Sequence, residues 1–196
     1  MSAHENMEHA EHAQHAGESN KKIALLISVL ALFLAFSETL GKSAQTATIT
    51  QNVAANDLWA FYQSKHIRQT VLSAAAEQMQ IEADRAVDPA VKARLAKTIA
   101  GWKKAVVRYN SDPAKKEGRK ELAEKAKVAE HKRDLALARY HHYEVSSAAF
   151  QIGIVLASAA VITNMIALAY LAGALGIAGL AFTAIGLWAP HAVHLF

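Results

Sequence analysis

At 196 residues, with 53% hydrophobic positions and a formal net charge of +4, the chain could form one globular domain or a small membrane protein. It contains no cysteine, which excludes disulfides, thiolate zinc sites and cysteine nucleophiles. The charge is concentrated: residues 42–144 hold 19 of the 21 Lys and Arg against 12 Asp and Glu, yet no recognisable module organises it, so nucleic acid is not an expected partner.

Residues 1–20 carry four Glu, four His and no Lys or Arg, in a triplet pattern Glu8-His9-Ala10, Glu11-His12-Ala13, Gln14-His15-Ala16. A tail without an apolar face is expected to be disordered. Its acidity is also unlike the basic start of a signal peptide, and Lys42 would stand at the third position before a cut after Ala44. A retained anchor is therefore expected. His9, His12 and His15 form a candidate metal site, because imidazole binds divalent transition metals and a coiled tail brings such rings together. The alternative is a solvated tail titrating near neutral pH.

Lys21 and Lys22 open the first expected span, residues 21–41. Its apolar part, residues 23–36, covers only about 21 Å, so the span recruits the next turn and brings Glu38 to the interface. Intramembrane acids often mark ion or proton paths. Here an interfacial Glu38 paired with Lys42 is the simpler reading.

Residues 42–144 read as helical, divided by Asp88-Pro89 and Asp112-Pro113. The first piece carries Leu58, Phe61, Leu72, Ala75 and Met79, with a neighbouring stripe at Ile67, Val71, Ala74 and Ile81. The second places Val91, Leu95, Ile99, Trp102, Val106 and Tyr109 on one face. The third repeats Leu122, Ala126, Ala129, Ala136, Tyr140 and Tyr143, interrupted by Arg133. This predicts a long helical hairpin with its tip at residues 86–90, or a three-helix coiled-coil-like bundle. In the hairpin, Leu95 is expected in the neighbourhood of Ile81 and Trp102 in that of Ala74. The aromatic residues read as core, and Tyr140 to Tyr143 as an interfacial cluster.

From Val145 to Ala189 no Asp, Glu, Lys or Arg occurs, a run long enough for two spans of roughly 20 residues each. These are expected at residues 145–169 and 170–190, with a turn near residues 170–173 and a short tail at 191–196. Gly153 and Gly176 lie on small-residue ladders that let membrane helices approach closely. Asn164 falls deep in the second of the three spans, where it could join helices or line a polar path. The fold class is thus an all-α membrane protein: three transmembrane helices plus a helical soluble region.

The opening Met1-Ser2-Ala3-His4-Glu5, the stretch Ala35-Phe36-Ser37-Glu38-Thr39-Leu40-Gly41-Lys42-Ser43-Ala44, and Asn56-Asp57-Leu58-Trp59-Ala60-Phe61-Tyr62 resemble a bacterial membrane family known as a domain of unknown function, number forty-three thirty-seven. The resemblance implies a three-span, helix-rich protein of the bacterial inner membrane. It brings no activity, substrate or catalytic residue.

No glycine-rich phosphate loop, nucleophile elbow or paired-carboxylate arrangement can be read, so catalysis and a resident cofactor are not expected. The leading expectation is a structural or interaction protein of scaffold type, with the lipid bilayer, a second copy of itself and an unidentified protein as partners. The alternatives are a channel or transport component using Glu38 and Asn164, and a metal-handling accessory using the histidine tail. The positive-inside rule places the cationic middle region in the cytoplasm.

Overall fold

The computed structural model describes the backbone of residues 3–193 and the side chains of residues 21–193. The readings made for residues 1–20, a disordered tail and a metal site at His9, His12 and His15, lie outside the described side chains. Four helices follow one another: α1 (Ala3–Arg85), α2 (Pro89–Asn110), α3 (Arg119–Thr163) and α4 (Ile166–Trp188). Among the described residues there is no strand. The chain divides into two units, Met1–Thr48 with Asp134–Phe196, and Ile49–Arg133.

The second unit is an antiparallel hairpin. Asp88 stops α1 and starts α2: its Oδ1 accepts from the Ala90 amide at 2.8 Å, and Pro89 occupies the first helical position, where no amide is needed. On α1 the inward row is Ala55, Tyr62, Gln69, Ala76 and Ala83, each seven residues from the last. Seven residues are nearly two helical turns, so such a row stays on one face. Ala76 and Ala83 bury against Ile99, with Met79, Leu95 and Trp102 packed around them. Nearer residue 60, α1 meets the start of α3. The Trp59 indole donates to Glu130 at 2.8 Å, and the Arg119 guanidinium donates to Gln69 and to the Tyr62 hydroxyl, each at 2.7 Å. The returning half of the hairpin is therefore α2 followed by α3.

This register corrects the stripe assignment. Ile67, Val71, Ala74 and Ile81 face outward, with Ile67 and Ile81 more than half exposed, and Leu95 and Trp102 pack in the cluster of Ala76, Met79 and Ala83, within two residues of Ile81 and Ala74 along α1. Neither apolar row read from periodicity is the inward one: that row includes Tyr62 and Gln69 and small alanines, so it carries little hydrophobic signal.

Between α2 and α3 a short loop is pinned by Glu121. Its carboxylate accepts from the Ser111 hydroxyl at 2.5 Å and the Asp112 amide at 3.2 Å. The Ser111 hydrogen bond is the chief reason that this carboxyl is held below the usual carboxylate range. A side chain at Gly118 would collide with Glu121 and with the Ser111 and Asp112 backbone, so only glycine closes this loop.

The other unit packs three apolar helical segments, and α1, α3 and α4 each contain a stretch long and apolar enough to cross a membrane. Leu30, Phe150, Ala157, Ala160 and Ala172 are buried together, and Phe33 stacks on Phe150 with ring centroids 6.0 Å apart. Small residues set the spacing: a Cβ on Gly179 would stand 2.8 Å from the Phe150 ring, and one on Gly176 would stand 2.7 Å from Leu30. These glycines are used within the chain. Gly173, by contrast, has nothing within 4 Å of a built Cβ and takes no part.

The turn between the last two helices also moves. It lies at Asn164 and Met165, not near residues 170–173. Asn164 has φ +55°, the left-handed conformation that a short polar side chain tolerates better than most. A single asparagine thus makes the turn expected near residues 170–173.

Candidate functional site

Helices α1 and α3 leave a polar groove between them at the end of the unit that contains Trp188. Three observations fix its level. A Cβ on Gly186 would stand 2.8 Å from the Tyr143 ring; Ser37 donates its hydroxyl to the Tyr143 carbonyl at 3.1 Å; and the His142 Nε2 donates to the Pro190 carbonyl at 3.0 Å. Deeper in the unit, the Ser146 hydroxyl donates to the Gly179 carbonyl at 2.7 Å and lies 2.6 Å from the Thr183 hydroxyl. Ser37, Ser146 and the His142 Nε2 are each answered across the packing, by α3, by α4 and by the segment after α4, as low-dielectric packing favours, while the His142 Nδ1 is buried without a partner. The three answered groups act as structural clasps.

The groove itself has a volume of about 340 Å³ and is lined by Glu38, Lys42, Gln45, Tyr140, Glu144 and Gln151, with Gly41, Ser147 and Ala148 as the small residues between them. Glu38 accepts from the Gln151 amide at 3.2 Å across the two helices. The expected pairing of Glu38 with Lys42 is absent among the described residues. The Glu38 carboxylate is instead engaged across the helix pair, by the Gln151 amide on α3. Glu144 receives the Tyr140 hydroxyl at 3.4 Å and lies 3.9 Å from the His141 Nδ1.

Gln151 lies eight residues beyond Tyr143, about 12 Å further along α3 toward Thr163. It is the one Asn or Gln in residues 145–163, a signal that was legible in the sequence and passed over. Gln45, Tyr140 and Glu144 carried no such signal, because their convergence depends on how α1 and α3 align. The other polar residue singled out, Asn164, is 13 residues from Gln151, roughly 20 Å away along the chain axis. It sits exposed in the turn. The structure does not bring Glu38 and Asn164 together. Among the described residues no three His, Cys, Asp or Glu side chains converge as a metal set.

No curated protein and no solved structure matches the chain significantly. A family model does match, over residues 19–189, and this interval contains the hairpin unit, most of the other unit, the loop held by Glu121 and the groove. The chain therefore belongs to the family described as Domain of unknown function (DUF4337).

Proposed function

We propose that this protein is a membrane-anchored structural or interaction protein without catalytic activity, its three apolar helical segments crossing the bilayer and its charged hairpin associating with a second copy. The bacterial inner membrane and a cytoplasmic hairpin remain the favoured placement. What supports the membrane reading is α4. Tyr170 is 75% exposed and Trp188 82%, and they stand 18 residues apart with only uncharged surface between them. That separation is about 27 Å along a helix, close to the roughly 30 Å of hydrocarbon bounded by aromatic belts.

One observation carries the association. The outward face of α1 in the hairpin presents Val53, Ala60, Ile67, Ala74 and Ile81 at strict seven-residue intervals, all exposed. This row is the mirror of the buried one, and charge is sparse along it. Interface cores are depleted of charge in the same way, whereas a purely solvated face needs no apolar repeat. A second copy of the same row is self-complementary.

Ile67 stands at the centre of the row, so aligning two copies brings Ile67 against Ile67 whether the helices run parallel or antiparallel. Ile67→Cys, in a chain that otherwise has no cysteine, should crosslink between copies under mild oxidant in native membranes. Lys97→Cys, exposed on α2, should not. Equal crosslinking of the two would remove the basis for association. Extraction of the protein by alkaline carbonate would remove the membrane reading.

A further inference from the structure

Helix α2 carries charge that nothing in its own hairpin balances. Lys92, Arg94, Lys97, Lys103, Lys104 and Arg108 are all exposed, and residues 89–111 contain no Asp or Glu. Among the described residues none of the six is in an ion pair. Arg94 with Lys97, and Lys104 with Arg108, stand three and four residues apart, spacings at which like charges repel and weaken a helix. The charges also have an order. Leu95, Ile99 and Trp102 pack toward α1. On the opposite side Ala93, Ala100 and Val107 form an exposed apolar line at seven-residue intervals, about 21 Å long. Lys97 and Lys104 run along one flank of that line, Lys92 and Lys103 along the other. Gly101 stands beside it in the helix interior, where glycine is unfavourable. A Cβ there would meet nothing within 4 Å, so no contact inside the chain accounts for it. Towards Ser111 the face opens into a concavity of about 560 Å³ lined by Gly101, Lys104, Val107, Arg108 and Pro113 among others.

We infer that this face of α2 docks an acidic amphipathic helix of a partner protein, with the partner's apolar seam on Ala93, Ala100 and Val107 and its carboxylates against the lysines on both flanks. Charges on the two flanks of an apolar seam select and orient partner helices, and here both flanks carry one sign. Other occupants suit the face less. The α2 of a second copy would set cation against cation, and the outward row of α1 is engaged in the association proposed above. A bilayer takes large apolar side chains from an interfacial helix, whereas two alanines and a valine supply little area. Single-stranded nucleic acid stacks its bases on aromatic rings, but Trp102 packs into the hairpin core and Tyr109 lies under the Lys65 ammonium. The α2 face thus gives the interaction protein proposed above, on which this assignment rests, a second partner of different chemistry.

The test uses the full chain in phosphatidylcholine nanodiscs, with empty discs as the blank, and three labelled peptides read by fluorescence anisotropy. The first is a designed helix whose apolar seam is flanked on both sides by Glu. The second has the same composition in scrambled order, and the third carries Lys in place of each Glu. The first should bind about tenfold more tightly than the other two, a difference set by seam and charge together. Lys97→Glu combined with Lys104→Glu should weaken it about tenfold, since two rim contacts become repulsive. Lys97→Gln with Lys104→Gln, neutral changes at the same exposed positions, should cause a smaller loss in the same direction. Equal binding of the scrambled peptide overturns the helix as occupant, and binding unchanged by both pairs of substitutions overturns the face. Competition by phosphatidylglycerol vesicles or duplex DNA that matches the acidic helix at equal charge would assign the face to a membrane or to nucleic acid instead. Crosslinking of Ala100→Cys in one copy to Ala74→Cys in another would assign it to α1 of a second copy. Ile67→Cys crosslinking on the same preparation reports the copy association separately, so the failure of either reading is told apart from that of the other.

Discussion

Gly179→Ala measures how tightly the three apolar segments are packed. The added Cβ would stand 2.8, 2.9 and 3.1 Å from three atoms of the Phe150 ring. Phe150 is 1% exposed and stacked on Phe33, so the ring has no free space to swing into. Inserting one carbon into a closed core of this kind typically costs about 1–3 kcal/mol. The Gly179 carbonyl also accepts from Ser146 and Thr183, so backbone movement that relieves the clash would strain two buried hydrogen bonds. Alanine gains helix propensity over glycine, which is removed from the comparison by using Gly173→Ala as reference, since nothing lies within 4 Å there. The difference between the two variants is then the overpacking cost alone. At roughly 2–4 °C per kcal/mol for a chain of this size, Gly179→Ala should melt several degrees below Gly173→Ala. The assay is thermal unfolding in detergent followed by gel filtration. Combining Gly179→Ala with Phe150→Leu should recover part of the loss, a coupling expected only of residues in contact. Coincident melting of the two alanine variants would refute this reasoning.

Two further outcomes follow from particular residues. Asn164→Gly should leave thermal stability nearly unchanged, while Asn164→Val should cost about 1–2 kcal/mol because a β-branched residue resists positive φ; a large loss with glycine would instead give the amide side chain its own role. The carboxyl of Glu121 is lowered in the folded chain chiefly by the Ser111 hydroxyl, so its contribution to stability is present above the ordinary carboxylate range and is lost as pH falls through the lowered value. Ser111→Ala should return that carboxyl toward its usual value and shrink the acid-side loss of hairpin helicity, read by circular dichroism across a pH titration; an identical acid limb in the variant would exclude the loop as its source.

The amino-acid sequence by itself determined a good deal here. Charge distribution separated an apolar part from a cationic one, because a long run without charge has few stable environments outside a membrane or a dry core. Asp88-Pro89 marked the hairpin tip, since one side chain both caps and starts a helix with purely local contacts. The α2 face from Val91 to Tyr109 was also legible, as that helix has one apolar stripe, with Ile99 at its buried centre. What tertiary structure decided were the choices between equivalent local patterns. Two heptad rows run along α1, and only packing against α2 and α3 buried the one through Ala76 and Ala83 and left the one through Ile67 and Ile81 outside. Asn164 and Gly173 each offered a turn, and the close approach of Gly176 and Gly179 to Leu30 and Phe150 requires α4 to begin early enough to bring them there. The groove was least legible of all. Glu38 and Gln151 are 113 positions apart, and no periodicity within one helix can reveal a meeting that depends on the alignment of two.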